Sequence, residues 1–322
     1  MVEPSSEQLI TEEDIIAARG VITGQLHRTP IQRSSYLGDQ LGVRLYLKLE
    51  LFQKTGSFKP RGVLNRLYHM PQEEKEKGVI TLSAGNHAQA VAWAAAKSRI
   101  PSTVVMPAGA VQAKVDATRG YGGEVVLTDG DLLQTCMAIK EKRDLTLVHP
   151  FDHLHTIAGT GTVGLELVEN VPDVDVVIAG VGGGGLISGV AAALKLKKPD
   201  VTVIGVEPEG APTMIRSLEQ GEPAHLDHTD TIADGLAAPF VGAHNLRHVQ
   251  AFVDDVVLVS DQEIAVAMGV ILERCKVLAE PAAASTVAAL LSGKIVVAEG
   301  QTVACILSGG NIDRERLCSV IG

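Results

Sequence analysis

Aromatic side chains are scarce: one Trp, four Tyr and five Phe make up 3% of 322 residues. A core with so few rings must be packed from Ala, Val, Leu and Ile. Cysteine is nearly as rare, and Cys136, Cys275, Cys305 and Cys318 lie far apart with no C-x-x-C spacing. That excludes a cysteine metal knuckle or redox pair and predicts four reduced, buried thiols in apolar helix or strand contexts. No apolar run approaches the roughly 18 residues a membrane span needs. The first residues, MVEPSSEQLITEED, are acidic and polar, unlike a signal or transit peptide, so the expected compartment is the cytoplasm. Basic charge is also in deficit, with 28 Lys and Arg against 38 Asp and Glu. The basic residues are scattered, which argues against a nucleic-acid or membrane surface and for a small polar ligand.

What is present is a globular composition, 46% hydrophobic and 20% charged, with no low-complexity run. At about 150 residues per domain the length suggests two domains. The 33 glycines imply loops with many special backbone angles. Thr11 and Asp14 before Ile15, Ile16, Ala17 and Ala18 predict a capped amphipathic helix ending near Gly24. Residues 43–50 alternate apolar and polar, the period of a strand with one covered face.

From Gly78 onward the pattern is βαβ. Strands are predicted near 79–82, 103–106, 124–127 and 146–148, with helices starting near Asn86, Ala113 and Leu132. After the turn Pro150-Phe151-Asp152 come a helix from Thr162, a strand at 174–179, a helix from Gly185 and a strand at 201–206. A helix ending near Lys276, one from Ala282 and a strand at 302–307 complete the series. This rhythm implies an α/β protein with open, mainly parallel sheets. A single eight-unit barrel is the competing arrangement, but two blocks meeting near residue 150 and an irregular stretch from Gly221 to Gly242 suit two sheets facing a shared cleft.

Four segments carry chemistry. Gly180-Val181-Gly182-Gly183-Gly184-Gly185-Leu186 joins a strand to a helix, where bare backbone amides and the helix N-terminus can hold a phosphate. A tight structural turn or a dinucleotide fingerprint, with Glu207 about 20 residues on as its acid, would read the same way. In Gly56-Ser57-Phe58-Lys59-Pro60-Arg61-Gly62 a lysine beside an aromatic and small residues can be desolvated into a nucleophilic amine, although a solvated loop lysine is the plain alternative. Ser83-Ala84-Gly85-Asn86-His87-Ala88-Gln89 begins a helix: Ser83 or Asn86 can cap it, free amides there can hold a carboxylate, and His87 reads as a packing histidine as readily as a base. Ile306-Leu307-Ser308-Gly309-Gly310-Asn311 places a hydroxyl at the carboxyl end of a strand, where open sheets bind ligands. His153-Leu154-His155 lacks a third metal ligand in view, and there is no G-x-S-x-G elbow.

In this order the segments resemble the pyridoxal-phosphate enzymes of the second fold type, and within them the serine/threonine dehydratases, or threonine ammonia-lyases, with serine racemases as close relatives. His27-Arg28-Thr29-Pro30, Lys48-Leu49-Glu50, Ile157-Ala158-Gly159 and Thr231-Ile232-Ala233-Asp234-Gly235 match as well, so the likeness covers nearly the whole chain. The resemblance implies two open, twisted sheets with the cleft between a large domain (1–66 and 155–322) and a small one (67–154). It implies pyridoxal 5'-phosphate as cofactor, bound to Lys59 as a Schiff base. Phe58 would lie near the ring, Asn86 on its hydroxyl, and Ser308 at its nitrogen. Gly182, Gly183, Gly184, Gly185 and Leu186 would hold the phosphate. Ser83, Ala84, Gly85 and His87 would surround the substrate carboxylate, with Gly235 and Glu280 near the ring and amino group. A hydroxyl opposite the ring nitrogen does not keep it protonated, which favours elimination over transamination.

The implied reaction is β-elimination from L-threonine and L-serine to a 2-oxo acid and ammonia, with Lys59 taking the Cα proton and the cofactor phosphate protonating the departing hydroxyl. A homodimer or homotetramer is implied. Departures from the family pattern carry further expectations. Racemases have a second serine where Ala84 stands, so racemisation should be weak. Phe151 stands where racemases carry Asn, as is common in dehydratases. The divalent-cation positions of relatives correspond to Glu207, Ala211 and Thr213, and Thr213 in place of an acid leaves that site doubtful, so no metal is expected. His153 and Thr160 also depart and suggest a lyase for another β-hydroxy amino acid, such as 3-hydroxyaspartate or phenylserine. A nucleotide-binding oxidoreductase using Gly182 to Gly185 is the remote alternative. With the chain ending at Gly322, the C-terminal regulatory domain of biosynthetic threonine dehydratases is not expected.

Overall fold

The computed structural model describes residues 8–322, so the first residues of the acidic N-terminus, read above as no leader peptide, lie outside the described residues. Among the described residues, ten strands form two sheets. They are β1 (Ile31–Arg33), β2 (Arg44–Leu49), β3 (Val79–Leu82), β4 (Ser102–Pro107), β5 (Glu124–Thr128), β6 (Thr146–Leu147), β7 (Val176–Gly180), β8 (Thr202–Pro208), β9 (Asp255–Val259) and β10 (Thr302–Leu307). The larger sheet runs β1-β2-β10-β7-β8-β9 and the smaller β5-β4-β3-β6. All pairings are parallel except β1 with β2. Two open sheets rule out the barrel.

The C-terminal strand lies in the centre of the larger sheet, between β2 and β7. Its residues alternate between two cores. Val303, Cys305 and Leu307 pack with Val176 and Ile178 under the helix Pro281–Leu291, while Ala304 and Ile306 pack with Val177 and Ala179 under the helix Gly185–Lys197. Helices on both faces explain why these strands are apolar at every residue instead of alternating. Most predicted elements are present, and Thr11 and Asp14 form the expected capping box on the helix Glu12–Ile22.

Three expectations need correction. The helix predicted from Thr162 begins at Leu154 and runs to Asn170. The strands β1 and β9 were not anticipated. Cys318 is exposed on the last helix, whereas Cys136, Cys275 and Cys305 are free and buried as predicted.

Candidate active site

Parallel strands end together, and the loops at their carboxyl ends meet in a cleft of about 600 Å³ between the two sheets. Residues from Phe58 and Lys59, from Ser83 to His87, from Gly182 to Leu186, and Gly235, Glu280 and Ser308 all border it. These are the candidate residues from every motif except the cation set. The structure thus gathers segments separated by up to 250 positions.

Lys59 opens the helix Lys59–Tyr68, which follows β2 after two short 3-10 turns. Its Nζ donates to the carbonyl of Pro150 at 3.2 Å and stands 5.1 Å from the centre of the Phe58 ring. No carboxylate pairs with it among the described residues. Desolvation therefore dominates and pushes the amine down to about 8, with the Glu280 carboxylate pulling weakly the other way. Glu280 is itself pushed up to about 7 by burial, partly offset by the hydrogen bond from Asn86. An amine so placed reaches its neutral, nucleophilic form near neutral pH.

Two residues below this lysine, the Arg61 guanidinium is wholly buried. It donates to both oxygens of Glu50 (2.8 and 2.9 Å) and both of Glu166 (2.7 and 2.9 Å). Lys48, also fully buried, completes a quartet through Glu166 at 2.6 Å. Burial opposes the Arg61 charge, but the two carboxylates outweigh it and hold the guanidinium more firmly protonated than a solvated one. The quartet clamps the first turn of the helix that carries Lys59.

The glycine loop is built for close approach. A Cβ on Gly183 would run into the Phe151 ring, and Gly184 has φ +92° with Asn245 and Met214 each 2.8 Å from where a Cβ would sit. Among the described residues, no oxygen accepts from the amides of Gly182, Gly183, Gly184, Gly185 or Leu186. Unpaired amides leading into a helix N-terminus form an anion-binding nest. The helix Asn86–Lys97 likewise starts without a side-chain cap. Neither Ser83 nor Asn86 caps it, because the Ser83 hydroxyl accepts from the Gly85 amide and Asn86 donates to Glu280 at 2.8 Å. His87 has its Nε2 on the Val148 carbonyl at 3.1 Å, and burial pushes it down to about 3, so it stays neutral.

The remaining candidates lie away from the cleft. Thr160 donates to the carbonyl of Gly185 at 2.7 Å from beneath the loop, and His153 caps its helix by accepting from the His155 amide. Neither borders the cleft. Glu207 accepts from the amides of Met214 (2.7 Å) and Ile215 (3.0 Å), and the Thr213 hydroxyl donates to Ala238. Burial pushes Glu207 up to about 7, and the amides it accepts from lie in the first turn of the helix Thr213–Gln220. Sequence reasoning missed the part played by Asn311, although its motif was singled out, and by Phe151 under the glycine loop.

The chain matches the family described as "Pyridoxal-phosphate dependent enzyme" over residues 22–309. It belongs to that family. Pyridoxal phosphate is its cofactor, which excludes the nucleotide-binding oxidoreductase. Similar proteins include an L-threonine ammonia-lyase from Thermotoga maritima, 45% identical over 317 residues, 97% of this chain and 78% of the relative. A catabolic L-threonine dehydratase from Staphylococcus aureus is 40% identical over 319 residues, 97% of this chain and 92% of the relative. Among solved structures, maize serine racemase superposes with a TM-score of 0.92 at 38% identity, covering 97% of each chain. The residues present fit the group: a desolvated lysine and a nest of unpaired amides too crowded for side chains face one cleft of suitable size.

Proposed function

We propose that the chain is an ammonia-lyase that removes water and then ammonia from L-threonine and L-serine, leaving the 2-oxo acid. The observation that carries this is the neutralisable Lys59 amine opposite the anion nest, in a chain 45% identical to an L-threonine ammonia-lyase. Bound pyridoxal phosphate supplies the electron sink that makes the Cα–H bond acidic. Lys59 holds it and, with its amine free, takes the Cα proton at Nζ. The amides of Gly182, Gly183, Gly184, Gly185 and Leu186 would bind its phosphate, Asn86 would donate to its ring oxygen, Phe58 and Gly235 would pack by the ring, and Ser308 would serve its nitrogen. The uncapped helix start beside Ser83, Ala84 and Gly85 binds the substrate carboxylate. His87, being neutral, holds that loop in shape through Val148. The released enamine hydrolyses in water to the oxo acid and ammonia.

The likeness to a serine racemase favours a second reading, but Ala84 carries only a methyl group and supplies no base on the opposite face of Cα. A positioned base contributes on the order of 10²–10⁴ in rate. Cofactor-saturated enzyme should therefore release 2-oxobutanoate from threonine and pyruvate from serine at least ~10²-fold faster than it forms D-serine. Faster release from 3-hydroxyaspartate or phenylserine, or no oxo acid at all, would overturn the assignment. Gly184→Ala tests the phosphate role. Strain of about 1–3 kcal/mol at that angle should weaken the apoprotein's affinity for pyridoxal phosphate by roughly tenfold to a hundredfold, read by fluorescence titration.

We place the domain boundaries at 1–66 with 155–322 and at 67–154, supported by the smaller sheet arising wholly within residues 79–147. A cytoplasmic homodimer or homotetramer completes the proposal. No helix among the described residues is long and apolar enough to cross a membrane.

A further inference from the structure

Asn311 sits where three loops of the cleft meet, and its hydrogen bonds have a fixed polarity. Its Nδ2 donates to the carbonyl of Thr55 at 2.7 Å and to Oδ1 of Asn86 at 2.8 Å. A backbone carbonyl is only an acceptor, so Thr55 compels Asn311 to present its NH₂ group. That NH₂ in turn compels Asn86 to turn its oxygen toward Asn311. Asn86 then has its NH₂ facing Glu280, where it donates at 2.8 Å, with one further N–H left over. Thr55 lies in the left-handed region at φ 60°, uncommon for a β-branched residue, four positions before Lys59.

We infer that Asn311 is a positioning residue that sets which end of the Asn86 amide faces the cleft, and so makes Asn86 a donor there. An amide side chain has two nearly isosteric orientations, one offering donors and the other an acceptor. Without Asn311 nothing described around Asn86 distinguishes them except Glu280, which is pushed up to about 7 and accepts or donates according to its protonation. This rests on the reading above, in which Asn86 donates toward the ring oxygen. It adds a hydrogen-bond chain in which Asn311, beyond β10 of the larger sheet, donates back to the lysine loop and across to Asn86, beyond β3 of the smaller sheet.

The test compares Asn311→Asp, Asn311→Ala, Asn86→Ala and the double variant Asn86→Ala/Asn311→Asp. Each is assayed for pyridoxal phosphate affinity, for the absorption maximum of the bound cofactor, for kcat and KM on threonine, and for the Tm of the apoprotein. A carboxylate at 311 only accepts, so Asn86 must reverse to satisfy it. Losing a donor to a charged oxygen should weaken cofactor binding by about tenfold to a hundredfold and shift the absorption maximum, with kcat falling more than KM rises. Asn311→Ala, which imposes no reversal, should lose less than Asn311→Asp. Once Asn86 is absent, adding Asn311→Asp should cost nothing further in cofactor affinity. Additive losses, or an Asn311→Asp enzyme with unchanged absorption and affinity, would overturn the inference. A role confined to structure would instead lower the apoprotein Tm alike in both Asn311 variants and leave the absorption maximum in place. If the wild-type protein itself failed to bind the cofactor or release oxo acid, the function proposed above would fail rather than the role of Asn311.

Discussion

Lys59→Ala is expected to lower threonine turnover by at least about a thousandfold, the scale of losing a nucleophile and a proton-transfer group together, while leaving the fold intact. Lys59 makes no ion pair, so its removal strands no partner charge. Its burial instead imposes a cost. The folded amine is pushed down to about 8 from 10.5, so the unfolded chain binds the proton more tightly. That penalty is absent above the unfolded value and complete below about pH 8. At pH 7 the apoprotein of Lys59→Met should therefore melt no lower than wild type. Activity follows the same group in the useful direction: once the substrate amine has freed it, only the neutral Lys59 amine accepts a proton, so kcat on threonine should rise with pH. Lys59→Arg should not recover turnover, because a guanidinium stays protonated throughout that range. Retained turnover in Lys59→Ala would remove the lysine from the chemistry altogether.

Arg61→Met is expected to have the largest effect on stability, about 3–5 kcal/mol, the cost of leaving a buried carboxylate uncompensated. Without the guanidinium, Glu50 and Glu166 face each other in the interior with only the Lys48 ammonium between them. Urea unfolding of the apoprotein should show a lower midpoint with little change in slope. Arg61→Lys should recover only part of the loss, since an ammonium cannot take two carboxylates side by side. A midpoint unchanged in Arg61→Met would show that the quartet contributes nothing net.

The quartet was invisible in the sequence, although three of its members, Lys48, Glu50 and Arg61, lay in recognised segments. Glu166 sits late in a helix whose glycines and threonines at 159–164 masked its first two turns, and a lone acid there reads as a solvated face. Packing against the helix Gly185–Lys197 overrides the poor propensity of those residues, which is why the helix begins eight residues before its predicted start. The strands β1 and β9 are short or only half-buried and lack a strong period. By contrast, the glycine loop, the lysine loop and the Ser83–His87 turn could be read locally, because each needs small residues and free amides within a few positions. What the sequence could not show was their mutual placement. Asn86, Asn311 and Thr55 meet across more than 200 residues, and a hydrogen bond of that span leaves no periodic trace.

The central position of β10 has a consequence for assembly. A strand buried on both faces has no wet side to mark its register, so alternation of polar and apolar residues guides its alignment less than in a half-exposed strand. A slip of one residue would carry Ser308 about 3.3 Å along the sheet. Beyond its ladders with β2 and β7, main chain just past its end adds to that alignment: the Phe58 amide donates to the Ser308 carbonyl at 3.0 Å, and Ser57 bridges to Gly309. The loop that presents the reactive amine is thus tied by its main chain to the end of the central strand.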